Sequence, residues 1–327
     1  MAVLVHQVAR PNGWPAADQF SYVEVTTPEP GPGEALVENV YLSVDPYMRE
    51  EMDERALGTP MEGRSIGRVV ESRDPALPVG ELVFHRQGWR SHAVVASGDV
   101  RVLRESQGVP LSAYLSLLGG TGLSAYVGLT RVARLQPGET VFISAAAGGV
   151  GSAAGQIARL LGAGRVIGST GSAAKAEHLL KNLGFDAALD YRTGDLAAQL
   201  AAAAPEGVDV CLDNVGGDHL EAAIGAMRDR GRIAWCGAVA QYNTLTPPPA
   251  PRNLFDIVGK SLRLEGFLVR DHVHLQSELE DFLLPHIRSG HVVPDETVVV
   301  GLPNVVDAFL SMLRGGNTGK MIVKVAP

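Results

Sequence analysis

Thiols are scarce in this chain. Two cysteines, Cys211 and Cys236, occur in 327 residues. Two thiolates cannot build a four-cysteine zinc site, and they do not suggest a secreted disulfide scaffold. Both stand in apolar runs, so they read as small core hydrophobes. Basic residues are in the minority, 28 Lys and Arg against 36 Asp and Glu, for a formal charge of -8. That balance argues against a general nucleic-acid surface and still allows a local basic pocket. No basic stretch followed by an apolar core and cleavage signal opens the sequence. The uncharged stretches at 111–130 and 140–158 are broken by glycine and small polar residues. They read as buried elements rather than membrane spans. The expectation is a cytoplasmic protein that engages neither membrane nor nucleic acid. No segment repeats with a fixed period.

What is present suits a globular chain of two domains: 46% hydrophobic and 20% charged residues over a length sufficient for two cores. Short strand-like runs at 3–8, 20–25, 35–40, 66–71, 82–85 and 91–96 are separated by glycine and proline, as in 27–33. They predict a largely β domain. The segment 43–54 is polar. Two apolar helices are expected at 111–118 and 121–129. Strands and helices then alternate: strands at 141–144, 165–168, 187–190, 208–213 and 231–236, with helices at 152–161, 175–183, 196–203 and 220–227. This alternation predicts a parallel sheet covered on both faces. Further elements are a short helix at 254–258, a strand at 262–267, a helix at 275–287, strands at 298–300 and 321–325, and a helix at 305–313. The fold class is therefore α/β. The domains are expected at 1–120, 121–290 and 291–327, the last returning to the first.

The most informative stretch is Val141-Phe-Ile-Ser-Ala-Ala-Ala-Gly-Gly-Val-Gly-Ser-Ala-Ala-Gly-Gln-Ile-Ala-Arg159. Strand, glycine turn and helix open a dinucleotide-binding unit. Gly148 suits the tight turn, Gly151 the approach of a pyrophosphate, and Gly155 close helix–strand packing. Gly149 and Val150 start a helix whose free N–H groups favour phosphate. A turn between a buried strand and a small-residue helix would look similar. The second strand ends Val166-Ile-Gly-Ser169-Thr-Gly-Ser172, with no carboxylate to hold ribose hydroxyls. Small hydroxyl residues leave room for a 2'-phosphate, and Lys175 stands close enough in sequence to supply charge. NADP is favoured over NAD, although Lys175 alone also reads as a solvated helix residue. The first domain has no cysteine, and its histidines, His6, His85 and His92, show no zinc-ligand pattern. Without a Lewis acid, hydride addition to a conjugated C=C is easier to explain than alcohol oxidation. The developing enolate then needs only hydrogen-bond donors.

Several ordered motifs strengthen this reading. They are Leu42-Ser-Val-Asp-Pro-Tyr-Met-Arg49, Gly120-Thr-Gly-Leu-Ser-Ala-Tyr126, Ala145-Ala-Ala-Gly-Gly-Val-Gly151, Gly171-Ser-Ala-Ala-Lys175, Asp213-Asn214-Val-Gly-Gly217, Cys236-Gly-Ala-Val-Ala-Gln-Tyr-Asn243 and Gly316-Asn-Thr-Gly-Lys320. Across essentially its whole length the chain resembles the zinc-free branch of the medium-chain dehydrogenase/reductase superfamily. Within it, the chain is most similar to the leukotriene B4 12-hydroxydehydrogenase / prostaglandin reductase group of NADP-dependent alkene reductases. The resemblance implies a GroES-like, largely β catalytic domain and a Rossmann domain with a doubly wound parallel sheet. It implies that Lys175 and Tyr191 contact the 2'-phosphate side of NADPH, with Ser169 and Asn214 among the cofactor residues. It places Asn317 near the nicotinamide, although Asn-Thr-Gly also suits a turn. Tyr242 matches a tyrosine at the family's active cleft, where its phenol either bonds the substrate carbonyl or only shapes the pocket. Tyr47 is the other catalytic candidate, with packing after Pro46 as its alternative. Arg49 faces solvent, a domain contact or the cleft, with no proton-transfer task. The proline-rich loop 244–251 carries little charge and suits the rim of a site for a small apolar enone or enal. The alternatives are an NADPH:quinone oxidoreductase and a non-catalytic NADP-binding regulatory protein. A homodimer is expected, with no metal.

Overall fold

The computed structural model describes residues 1–246 and 248–326. The chain forms two units. One comprises Met1–Leu115, Thr297–Asn317 and the chain from Met321 onward; the other comprises Ser116–Glu296 and Thr318–Lys320.

The first unit is mainly antiparallel sheet. Its elements before the crossing are β1 (Ala2–Gln7), β2 (Phe20–Val25), β3 (Glu34–Ser43), α1 (Met48–Glu54), β4 (Thr59–Pro60), β5 (Ser65–Ser72), β6 (Leu82–His85), β7 (His92–Ala96) and β8 (Arg101–Leu103). β1 lies between β2 and β4 in a small sheet. In the larger sheet β3 pairs antiparallel with β5, with β7 and with the last strand, Lys320–Lys324, where Ile322 stands opposite Ser43. That last strand ties the C-terminal segment into this unit. The core gathers on Phe20, Trp89 and Phe309: Trp89 meets Phe309 edge-on at 5.5 Å and stacks on Phe20 at 5.7 Å. Such aromatic pairs add about 0.5–1.5 kcal/mol each to the burial of their faces. Trp89 has φ 54, an uncommon backbone for a bulky residue, and it is fully buried.

The polar segment 43–54 contains α1, which polarity alone did not reveal. Its Arg49 explains why: the side chain is buried, donating to the Gly13 carbonyl through Nε at 3.1 Å and Nη2 at 2.9 Å, and pairing with Asp53 at 2.9 Å. Arg49 therefore fastens the turn-rich stretch after β1. The sequence leaves Arg49 open between solvent, a domain contact and the cleft.

The second unit contains α2 (Gly120–Val127), β9 (Thr140–Ile143), α3 (Gly149–Leu160), β10 (Arg165–Thr170), α4 (Ala173–Asn182), β11 (Ala187–Asp190), α5 (Leu196–Ala203), β12 (Val208–Asp213), α6 (Gly217–Ala226), β13 (Met227–Trp235), α7 (Asp256–Gly259), β14 (Arg263–Gly266) and α8 (Gln276–Arg288). The strand order is β11-β10-β9-β12-β13-β14, and the paired strands run parallel. This is the doubly wound Rossmann order, in which the order of adding strands reverses between the first and fourth while all run parallel. β9 and β12 flank that switch point. Their residues are buried on both faces, as Val141, Phe142, Ile143, Val210, Cys211 and Leu212 show.

Some expectations change in detail. The stretch expected as a helix at 111–118 is a 3₁₀ turn, Leu111–Leu115, and the helix after it passes into a π turn at Gly128–Val132. β13 begins at Met227, ahead of the expected 231, because Arg228 binds the Asp209 carboxylate at 3.1 Å and Arg230 takes φ 63. Cys211 is fully buried, as its apolar run predicts. Cys236 differs from that expectation: it follows β13 and is only partly buried, with its thiol pKa pushed up to about 12, chiefly by desolvation. Among the described residues no helix is long and apolar enough to cross a membrane.

Candidate functional site

The glycine turn lies at the switch point, between β9 and α3. Gly148 caps α3 in an extended conformation, and Gly149 and Val150 begin the helix, all three partly exposed. Ala145 has φ 48, so a non-glycine residue carries the left-handed bend, a locally strained choice that recurs at functional turns. Gly151 is buried, and a Cβ there would stand 2.4 Å from the Ala145 carbonyl oxygen. Its missing side chain closes the turn on itself. A Cβ on Gly155 would lie 2.2 Å from the Phe185 ring, so that glycine lets α3 settle on the core. The segment Thr318–Lys320 runs beside the turn: Gly319 N–H donates to the Ala147 carbonyl at 2.8 Å, and Lys320 N–H to the Asp295 carbonyl at 2.8 Å. Lys320 is buried, with its Cδ 3.2 Å from where a Gly149 Cβ would stand.

At the ends of β9 and β12 the polar groups close on one another. Ser144 Oγ donates to Asp213 Oδ1 at 2.6 Å, and Asn214 N–H donates to Ser144 Oγ at 2.7 Å. The Asn214 side-chain amide donates to the Ser144 carbonyl at 2.8 Å. Asp213 also accepts from Val215 N–H at 3.1 Å and Gly216 N–H at 3.0 Å. Desolvation raises the Asp213 pKa, against these three donors. The chain after β13 then lies along this edge, with Val239 N–H on the Asn214 carbonyl at 3.2 Å. The next turn carries Tyr242, whose phenol oxygen is 3.5 Å from where a Gly237 Cβ would stand.

The ends of β10 and β11 are different. Among the described residues Ser169 Oγ is buried with no hydrogen-bond partner, as is His219 Nε2 on α6. Ser172 caps α4 by accepting from Lys175 N–H at 3.3 Å. Lys175 has a lowered pKa, from desolvation first and then the Arg192 charge. Tyr191 packs edge-on against His219, with ring centroids 4.9 Å apart. An amino-terminal helix turn, a lysine, an arginine and a phenol thus gather where a ribose-binding carboxylate is missing. That donor set fits an anionic group beside a nucleotide.

The second unit therefore brings together Gly148, Gly149, Val150, Gly151, Ser169, Lys175, Tyr191, Asn214 and Tyr242. Tyr47 and Asn317 belong to the first unit, where Tyr47 leads into α1. Its hydroxyl is buried without a hydrogen-bond partner among the described residues. Burial and the nearby Asp45 charge push its pKa well above the phenol range, so it stays protonated. Arg64 lies 5.6 Å from its ring centroid and 3.7 Å from Asp45 Oδ2, which also accepts from Ser43 Oγ. Asn317 is buried and immediately precedes Thr318–Lys320. The buried His85 is committed to structure: Nε2 donates to Asn39 Oδ1 at 2.7 Å, and Nδ1 accepts from Gln87 N–H at 3.1 Å. Sequence reasoning missed Arg192 and Lys320. Their signal was adjacency, to Tyr191 and to the Asn-Thr-Gly turn. Pro247, in the proline-rich loop, lies outside the described residues, and Leu245 of that loop is exposed.

Comparison with known proteins matches residues 5–103 to a family described as the N-terminal domain of oxidoreductase and residues 149–288 to one described as zinc-binding dehydrogenase. Among the described residues, no group of three or more His, Cys, Asp or Glu is placed to hold a metal ion. The chain is 42% identical over 322 residues to prostaglandin reductase 1 of Bos taurus, covering 95% of each chain. It is 38% identical over 327 residues to an NADP(+)-dependent 2-alkenal reductase of Nicotiana tabacum, covering 96% of this chain and 94% of the relative. The crystal structure of CurA from Vibrio vulnificus in complex with NADPH superposes with a TM-score of 0.93 at 33% identity, covering 99% of both chains.

Proposed function

Since this chain belongs to the zinc-independent medium-chain dehydrogenase/reductase superfamily, among the prostaglandin reductase and CurA-like alkenal reductases, we propose that it uses NADPH to reduce the activated C=C bond of α,β-unsaturated ketones or aldehydes. The observation that carries this reading is whole-length identity to such reductases combined with cations, and no carboxylate, at the end of β10.

Bound NADPH supplies the hydride. Gly148, Gly149 and Val150 offer the start of α3 to its pyrophosphate, and Lys175 and Tyr191 bind its 2'-phosphate side. Ser169, Asn214 and Asn317 are further cofactor residues in this reading. As the substrate's β carbon becomes saturated, negative charge gathers on the carbonyl oxygen. A neutral phenol is a suitable donor to that oxygen; Tyr242 is assigned this task, with Tyr47 as the other candidate. The partnerless Tyr47 hydroxyl supports its candidacy, because a buried donor left unmade is costly unless a ligand uses it. Water protonates the α carbon, so no dedicated acid is required. The exposed Leu245 supports an apolar substrate.

The test is a panel of alkenals, cyclic enones and p-quinones assayed with NADPH deuterated at the transferring position. Deuterium on the β carbon of an enone is the expected product. Turnover of quinones alone, or of no activated alkene, overturns the reading. We also assign a cytoplasmic homodimer. Support comes from β14, which ends the sheet, with Leu268 and Val273 exposed just beyond it. Light scattering at twice the 34.5 kDa chain mass is the expected result.

A further inference from the structure

Arg192 stands in a place that the motifs do not mark. β11 ends at Asp190, whose carboxylate accepts from Arg192 N–H at 3.0 Å. Its carbonyl accepts from Thr193 N–H at 3.1 Å, Thr193 Oγ1 at 2.9 Å and Gln199 Nε2 at 3.1 Å. This turn gives the following two residues one course. Tyr191 N–H continues the ladder to the Thr170 carbonyl at 3.1 Å. The Tyr191 phenol and the Arg192 guanidinium then converge on the same glycine. A Cβ on Gly171 would lie 2.7 Å from Tyr191 OH and 3.2 Å from Arg192 Nε. The Arg192 guanidinium carbon is 5.9 Å from the Tyr191 ring centroid, and His219 supports the ring from another side. Arg192 is also the charged neighbour that acts on Lys175. Two cations drawn together beside a helix start are stabilised by an anion between them.

We propose that Arg192 is a specificity-determining residue for the cofactor, a second cation on the 2'-phosphate whose place depends on the missing side chain of Gly171. The inference rests on the NADP reading above and adds the residue that sets the preference over NAD. An arginine fork offers a phosphate two directed donors, where a lysine offers one point charge.

The experiment is calorimetric titration of the purified full-length protein with 2',5'-ADP and with 5'-AMP. Wild type is expected to bind 2',5'-ADP the more tightly. Arg192→Ala reduces affinity for 2',5'-ADP on the order of tenfold or more and leaves 5'-AMP unchanged, as loss of a charged hydrogen bond implies. Arg192→Lys restores part of that loss. Gly171→Ala produces the same selective loss, because its Cβ occupies the space of the phenol and guanidinium. Thermal melting of each variant checks that it is folded. A 2',5'-ADP preference that survives in Arg192→Ala overturns the inference and leaves the NADP reading standing. A wild-type protein that binds the two nucleotides equally overturns both.

Discussion

The centre of the Rossmann sheet and its β10–β11 side treat their polar atoms in opposite ways. At β9 and β12, Ser144, Asp213 and Asn214 bond to one another and to backbone N–H groups. At β10 and β11, Ser169 Oγ and, against Tyr191, His219 Nε2 are buried with no partner among the described residues, on the side that carries like charges on Lys175 and Arg192. The first arrangement holds the switch point in shape. The second is incomplete by itself, as a surface that recognises a ligand must be. The first unit repeats the contrast: His85 has both ring nitrogens engaged, whereas the Tyr47 hydroxyl has no partner. If this difference separates scaffold from recognition, removing a satisfied group costs stability, and removing an unsatisfied one costs function alone.

Asp213 gives the largest test. Asp213→Ala leaves Ser144 Oγ and two backbone N–H groups without their acceptor in a buried place. Unfolding in urea is expected to show a loss of roughly 3–5 kcal/mol. A loss under about 1 kcal/mol would mean that water replaces the network and that the closed centre is no scaffold.

Acid titration sharpens the comparison next. His85 and His219 both have pKa values lowered from 6.5 to about 4, mainly by burial. Below pH 6.5 the unfolded chain takes up these protons and the folded chain does not, until about pH 4. Stability is therefore fully present above that window and is lost as pH falls through it. Each histidine contributes on the order of 3 kcal/mol to this loss. His219→Phe keeps the ring against Tyr191 and deletes the partnerless nitrogen. It is expected to unfold at pH 7 like wild type and to lose about 3 kcal/mol less between pH 6.5 and 4. An acid limb identical to wild type would show that His219 is not held neutral by burial.

Asn214→Ala has a smaller expected effect, about 1 kcal/mol, because it removes one amide bond to the Ser144 carbonyl and leaves the Asp213 acceptor set in place. The same urea series measures it. A loss matching that of Asp213→Ala would make the network a single unit rather than a sum of bonds.

The alternation of apolar runs and small-residue turns predicted five of the six parallel strands, because β9 and β12 are buried on both faces and so read as continuous apolar segments. The glycine turn was equally legible, since its geometry demands its residues: the space at Gly151 and Gly155 is filled by Ala145 and Phe185. Other features depend on contacts between distant residues. Arg49 stayed open between solvent, a domain contact and the cleft because its acceptor, the Gly13 carbonyl, is 36 residues away. The charged start of β13 looked like a loop because Asp209, on the neighbouring strand, was not known to be beside Arg228. Arg192 follows the same rule: its meaning comes from Gly171, one helix and one strand earlier in the chain. Local pattern reveals elements; partners at long range decide which polar residues are structural.

Tyr47→Phe tests the unsatisfied class where the smallest change in stability is expected. The substitution removes one hydroxyl that bonds to nothing among the described residues, and the ring remains packed under Arg64. Stability should therefore stay within about 0.5 kcal/mol of wild type, or rise, because an unpaired buried donor is destabilising. Turnover of an enone should nevertheless fall on the order of tenfold or more, the effect of one donor to a developing oxyanion. The fall should appear in kcat more than in KM if the phenol strengthens its bond as charge develops. A variant less stable by 2 kcal/mol would place the hydroxyl in the scaffold. Unchanged stability with unchanged turnover would break the link between partnerless polar atoms and function in the first unit, and would leave Tyr242 as the phenol to test.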